Sequence, residues 1–220
     1  SKNGKVRKWY EILKEGTESV IDRIFITGVA PITLDSLTSG FNISSDITQD
    51  RAFNEMMGFT QGELKTMMNE LDISEDNQNI LFPIMKENYD GYMFSTKGTT
   101  KIYNSNMCLY FLNNYTKYNE IPDQLVDMNI ASDYSKLGNM LSLCKGEERE
   151  QIIEKTISGD TISSEITGKF NPAIDFTEKD LISMLFYLGY LTIKDSIAGY
   201  PRLCTPNKVM KEIYSDYFLQ

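Results

Sequence analysis

Apolar positions recur at helical spacing through most of this chain, and in only a few places do they run together or alternate. Residues 5–21 carry Val6, Trp9, Tyr10, Leu13, Val20 and Ile21 close to one helical face. The run Ile24-Phe25-Ile26 that follows is continuous, with the polar Thr27 and Gly28 directly after it. A short apolar run of that kind predicts a strand buried on both faces, as inside a parallel α/β sheet. Ligands of such sheets sit beyond the carboxyl ends of the strands, where Thr27 and Gly28 would lie. A parallel strand also needs companions reached through crossover helices, and a single helix precedes this one. The expectation is a fragment that begins near the end of a larger α/β domain.

From Ala30 to Asn42 the pattern breaks into Pro31, Gly40 and several Ser and Thr, which predicts a loop. Helices then dominate. Thr60 and Glu63 make a capping-box pair ahead of Leu64, Met67, Met68 and Leu71. Ser74 is placed to cap a helix carrying Ile80, Leu81, Ile84 and Met85, with Pro83 expected to kink it or mark its first turn. Gly91, inside Tyr89-Asp90-Gly91-Tyr92, can close that helix with a positive φ. Asn104 heads a further helix, and two more are predicted over about 132–143 and 147–157. Near the end, Thr177 and Asp180 head a helix that Gly189 closes. Strands over 190–193 and 200–204 flank a turn containing Gly199, and a last helix runs from about Asn207 to Phe218. Helix, hairpin and helix in this order resemble the later part of a winged helix.

Composition narrows the chemistry. The 220 residues are 41% hydrophobic, ample for a core, and no apolar stretch approaches the ~18 residues of a membrane span. With no basic stretch followed by an apolar one at the start, no export signal is expected. Cys108, Cys144 and Cys204 match no zinc spacing, and the expected setting is the reducing cytoplasm. The net charge of −9 argues against bulk binding to nucleic acid or anionic membrane. There is no histidine, which excludes Ser-His-Asp and Cys-His nucleophiles and histidine metal sites together. A phosphate loop needs Gly-Lys followed by Ser or Thr; the two Gly-Lys pairs here continue into Val6 and Phe170. An apolar strand ending in a metal-holding acid is also absent from the sequence. Residues 178–220 hold five cations and five anions, so this module is expected to meet protein rather than DNA.

Two candidate sites carry competing readings. Thr27 is either a polar sensor of a nucleotide γ-phosphate or a strand-end hydroxyl bonded to backbone. Tyr89, Asp90 and Tyr92 either line a site or form an ordinary Asp-Gly turn between half-buried tyrosines.

Several phrases together then resemble a known family. Phe25-Ile-Thr-Gly-Val29 with Pro31-Ile32 and Thr38-Ser39-Gly-Phe-Asn42 is similar to the predicted AAA-ATPase-like family of bacterial proteins. Phe53-Asn-Glu-Met-Met-Gly-Phe-Thr60, Tyr89-Asp-Gly-Tyr-Met-Phe94, Ile102-Tyr-Asn104, Gly189-Tyr-Leu-Thr-Ile193 and Pro206-Asn207 continue the likeness. Ser105 and Val209 stand where the family usually has Pro and Glu. The resemblance implies the C-terminal part only of such a protein, with phosphate loop and acidic strand lying upstream. It makes Thr27 the nucleotide-sensing candidate and Gly28, Ser39, Asn42, Tyr89, Asp90, Tyr92 and Asn104 family-motif residues.

The fold expected is mainly α with minor β, in three parts. Residues 1–45 would be the end of an α/β P-loop-type core, 46–160 a helical lid and 161–220 a winged-helix-like module. No cofactor is expected in this fragment, and ATP with Mg²⁺ in the intact parent. Expected partners are the N-terminal ATPase core, a PD-(D/E)XK nuclease-like domain often fused in longer members, and other proteins. DNA and membrane are not expected. Self-association through the exposed edge of 24–27 is. The alternative reading is a non-catalytic winged-helix module for protein interaction or DNA binding.

Overall fold

Several helices begin where a side chain accepts the backbone N–H groups that a first turn leaves unbonded. In the computed structural model, which describes residues 2–28, 45–127, 147–168, 170 and 176–218, α1 spans Lys2–Gly16. Helix α2 (Gln61–Glu70) opens with the predicted capping box: Glu63 N–H donates to Thr60 Oγ1 at 3.2 Å, and Thr60 N–H to Glu63 Oε2 at 2.8 Å. The Thr60 N–H and, less so, the Thr60 hydroxyl, both donating to the Glu63 carboxylate, hold it below its usual range. Ser74 caps α3 (Glu75–Tyr89), and Asn104 Oδ1 caps α4 (Ser105–Tyr118) by accepting from Met107 N–H at 3.1 Å. Helix α5 covers Glu147–Ser158. Thr177 and Asp180 form a second capping box at α6 (Glu178–Tyr187), and α7 covers Lys208–Phe218.

Helix α3 runs on through Pro83 rather than starting there. Asn79 and Pro83 are both exposed, so the carbonyl that the proline leaves unbonded faces water and the break is tolerated.

Three short strands make one antiparallel sheet in the order β1-β3-β2: β1 (Ile162–Ser163), β2 (Thr192–Ile197) and β3 (Tyr200–Cys204). Strand β1 pairs Ile162 with Leu203, and two residues were too few to leave a period in the sequence. Between β2 and β3 the register slips at Lys194, so Asp195 faces Arg202 and pairs with it. Ala198 and Gly199 turn the hairpin, both at positive φ (51° and 85°), the backbone that a two-residue connection favours.

A single buried cluster runs from Leu64 and Met68 of α2 through Met85, Tyr89, Phe111 and Phe186 to Leu203, Met210 and Tyr214. Helix α7 packs on both α3 and α5, which ties the helices to the sheet. The mainly helical architecture with minor β agrees with the sequence.

The buried strand expected over 24–27 is a correction. Residues 22–28 hold no strand, and no residue described between 4 and 28 is buried. Phe25 is 60% exposed and Val20 83%. Among the described residues the apolar run finds neither ladder partner nor covering helix, and without them a strand leaves its polar backbone unpaired. The helix before it also stops at Gly16, short of the Ile21 expected. The helix predicted over 132–143 lies outside the described residues.

Candidate functional site

The four residues Tyr89-Asp90-Gly91-Tyr92 leave the end of α3 and press against the segment that starts α7. Gly91 has φ +112°, and a Cβ there would lie 2.2 Å from the Pro206 carbonyl oxygen, so glycine is required twice over. Asn207 Nδ2 donates to the Asp90 carbonyl at 3.1 Å, while its Oδ1 accepts from Met210 N–H at 3.1 Å and caps α7. One side chain therefore ends α3 and begins α7.

Beyond Gly91 the backbone is gripped on both sides. Tyr92 and Ile102 exchange N–H···O bonds of 3.1 and 2.9 Å, and Tyr103 does the same with Phe59 at 3.1 and 2.8 Å. Thr192 Oγ1 accepts from Met93 N–H at 2.7 Å and donates to the Met93 carbonyl at 3.2 Å. Asn104 N–H donates to the Tyr89 carbonyl at 2.9 Å. Asn54, buried in the turn after a short 3₁₀ segment (Arg51–Phe53), holds the next loop. Its Oδ1 accepts from Phe94 and Ser95 N–H (3.0 and 3.1 Å), and its Nδ2 donates to the Thr100 carbonyl at 2.9 Å.

The buried phenols and the buried thiol of this junction hold their protons at neutral pH. Burial pushes the Tyr92 phenol up to about 12, against a smaller opposing pull from the Asn104 and Asn207 amides beside it. Burial, then the Asp90 charge, pushes Tyr103 up to about 12. The Cys108 thiol is raised by burial and by Asp90, so it is no nucleophile at neutral pH. Tyr89, also raised by burial, donates to the Leu125 carbonyl at 2.7 Å.

Among the described residues, three buried polar atoms here find no hydrogen-bond partner: Asp90 Oδ1, Tyr92 Oη and Tyr103 Oη. Asp90 and Tyr103 line a cleft of about 610 Å³, with Lys86 and Lys101 beside them and Pro206 at its edge. Among the described residues neither lysine makes an ion pair.

Of the residues singled out from sequence, Tyr89, Asp90, Tyr92 and Asn104 are brought together here. Thr27 and Gly28 are exposed, and no buried residue lies in their segment. Ser39 and Asn42 lie outside the described residues. Asn54, Thr192 and Asn207 were not singled out, although each sits within a phrase that carried the resemblance. A polar residue between apolar neighbours was the signal available for Asn54 and Thr192.

Compared with family models, with curated proteins and with solved structures, the chain finds no match.

Proposed function

We propose that this chain is the C-terminal regulatory part of an AAA-ATPase-like protein. It would supply a sensor-like segment around Thr27, a helical lid and a winged-helix-like module. The observation that carries the reading is the junction itself. Phrases that prompted the resemblance, far apart in sequence, meet there: Asn54, Tyr89–Met93, Ile102–Asn104, Thr192–Ile193 and Pro206–Asn207. A chance likeness of short phrases carries no reason to converge. The order β1, α6, β2, β3 and the sheet order β1-β3-β2 support the winged-helix-like part over 161–220.

In this reading ATP and Mg²⁺ belong to an upstream core, because the chain itself carries neither a phosphate loop nor a metal-holding strand. The apolar run 24–26, whose Phe25 and Ile26 are exposed, is the segment that such a core would cover. Nucleotide held between core and lid would set their relative position. Histidine being absent, the lid cannot reach the nucleotide through an imidazole.

Hydrogen exchange on a protein that includes the upstream region tests this. Nucleotide should slow exchange at residues 24–28. If the upstream region lacks G-x-x-x-x-G-K-[ST], or nucleotide binds without protecting 24–28, the reading is wrong.

One observation favours a non-catalytic interaction module instead: Ile197 and Tyr200, paired at the hairpin tip, are both exposed. Loss of binding to a protein partner on Ile197→Asp, with nucleotide irrelevant, would select that alternative.

A further inference from the structure

We propose that the exposed face of α1 docks, in a second copy of this chain, onto an acidic hollow along α5. The inference is independent of the ATPase reading, since both surfaces lie on this chain and neither involves nucleotide.

Helix α1 carries five cations and two anions, in a chain whose net charge is −9. Lys5, Lys8, Trp9 and Ile12 follow the spacing i, i+3, i+4, i+7, which puts them on one stripe of the helix. All four are exposed, Trp9 and Ile12 at 55% each. An indole and an isoleucine left in water on a cationic stripe suit a helix that lies in an acidic groove of a partner.

A surface of that chemistry is on the same chain. Along α5 an open hollow of about 550 Å³ is lined by Glu150, Ile153, Glu154, Ile157 and Ser158. The first four repeat the spacing i, i+3, i+4, i+7, so two carboxylates and two isoleucines also share one stripe. Ile153 and Ile157 are half-buried, touching the core cluster on one side and lining the hollow on the other. Glu150 and Glu154 are exposed. Among the described residues none of Lys5, Lys8, Glu150 and Glu154 makes an ion pair.

Laid side by side in the same direction, the stripes set Lys5 beside Glu150 and Ile12 beside Ile157. Lys8 and Trp9 then meet Ile153 and Glu154. Reversed, Lys5 would face Ile157 and Ile12 would face Glu150. The apolar groups supply affinity, with Trp9 as the anchor, and the charges fix direction and register. The two surfaces differ, so the contact is head-to-tail and every copy offers both halves of it.

Sedimentation of the full chain across a concentration series tests this, with emission from Trp9, the sole tryptophan, as a second reading. Mass should rise with concentration, and the Trp9 emission should shift to the blue along with it. Lys5→Glu with Lys8→Glu, and separately Glu150→Lys with Glu154→Lys, should each weaken association at least tenfold. All four positions are exposed, so circular dichroism of both variants should match the wild type. Mixed together, the two double variants should associate again, because each then presents the charge that the other lacks. A monomer at every concentration, association unmoved by either double variant, or no recovery on mixing overturns the proposal. So does a blue-shifted Trp9 in a monomer, which would place α1 on its own chain.

Discussion

Asn54 makes three hydrogen bonds with one amide, all to backbone groups of the loop between Phe94 and Thr100. Replacing it by alanine removes the acceptor for two N–H groups and the donor for one carbonyl. Asn54→Ala should cost about 3 kcal/mol, read as a lower urea midpoint with an unchanged slope. Gly98 crowds the same amide, a Cβ there lying 2.7 Å from Asn54 Oδ1, so the loop is shaped around this residue. Ala198 carries the opposite message. It sits at φ 51°, where a Cβ is unfavourable, and Asn tolerates that backbone far better. Ala198→Asn should raise stability by about 0.5–1 kcal/mol in chemical denaturation. The buried phenols set the alkaline limit. Tyr92 and Tyr103, both pushed up to about 12, hold their protons more tightly folded than unfolded. Their contribution is therefore whole below the ordinary tyrosine value near 10 and is lost as pH rises through about 12. Denaturation midpoints should stay level up to about pH 9 and fall steeply across that window, less steeply in Tyr103→Phe. Tyrosine ionisation, followed by ultraviolet absorbance, should lag until unfolding.

At the scale of elements, the sequence was informative wherever a local rule decides the outcome. Thr60 with Glu63 and Thr177 with Asp180 are capping boxes because three-residue spacing alone brings those groups together. Gly91 and Gly189 take the positive φ that closing a helix asks for. Legibility failed where pairing partners decide. The run Ile24–Ile26 has strand composition and no strand, while Ile162–Ser163 has almost no pattern and pairs with β3. Residues 192–197 form a strand longer than the apolar stretch suggested, since β3 supplies the ladder that Asp195 and Ser196 need. For the candidate site, the turn residues were visible as an Asp-Gly pair between tyrosines. Their counterpart at Pro206–Asn207 was not, because nothing local announces a contact across 117 positions. Asn207→Ala tests the value of that contact. Losing the α7 cap and the bond to Asp90 should cost about 2 kcal/mol in thermal or urea unfolding. Restoring the cap alone with Asn207→Ser should recover about half of it.

For the whole molecule, exposed apolar groups concentrate toward the start: Trp9, Ile12, Val20, Phe25 and Ile26. Burying such a side chain is worth roughly 1.5–3 kcal/mol, enough for several together to draw chains into contact. Light scattering of this chain should show mass rising with concentration, and Phe25→Lys should reduce it; a monomer at every concentration contradicts this. The opposite end of the molecule is electrostatically quiet. Arg202 pairs with Asp195 and Lys179 with Glu165, and Lys208 lies 3.7 Å from Glu87. Gel shifts with duplex DNA at physiological salt should therefore show no appreciable binding by this chain. A steep salt slope, lost on charge reversal of Lys208 and Lys211, would refute that.

The bond from Asn207 to Asp90 also dictates a timetable. During synthesis Tyr89 to Met93 emerge about a hundred residues before Thr192, Pro206 and Asn207, which hold them. Loop closure over such separations is slow, and until then Met93 has no Thr192 to meet its backbone. The nascent chain must therefore stay half-built, open to chaperones and proteases, until Asn207 has emerged.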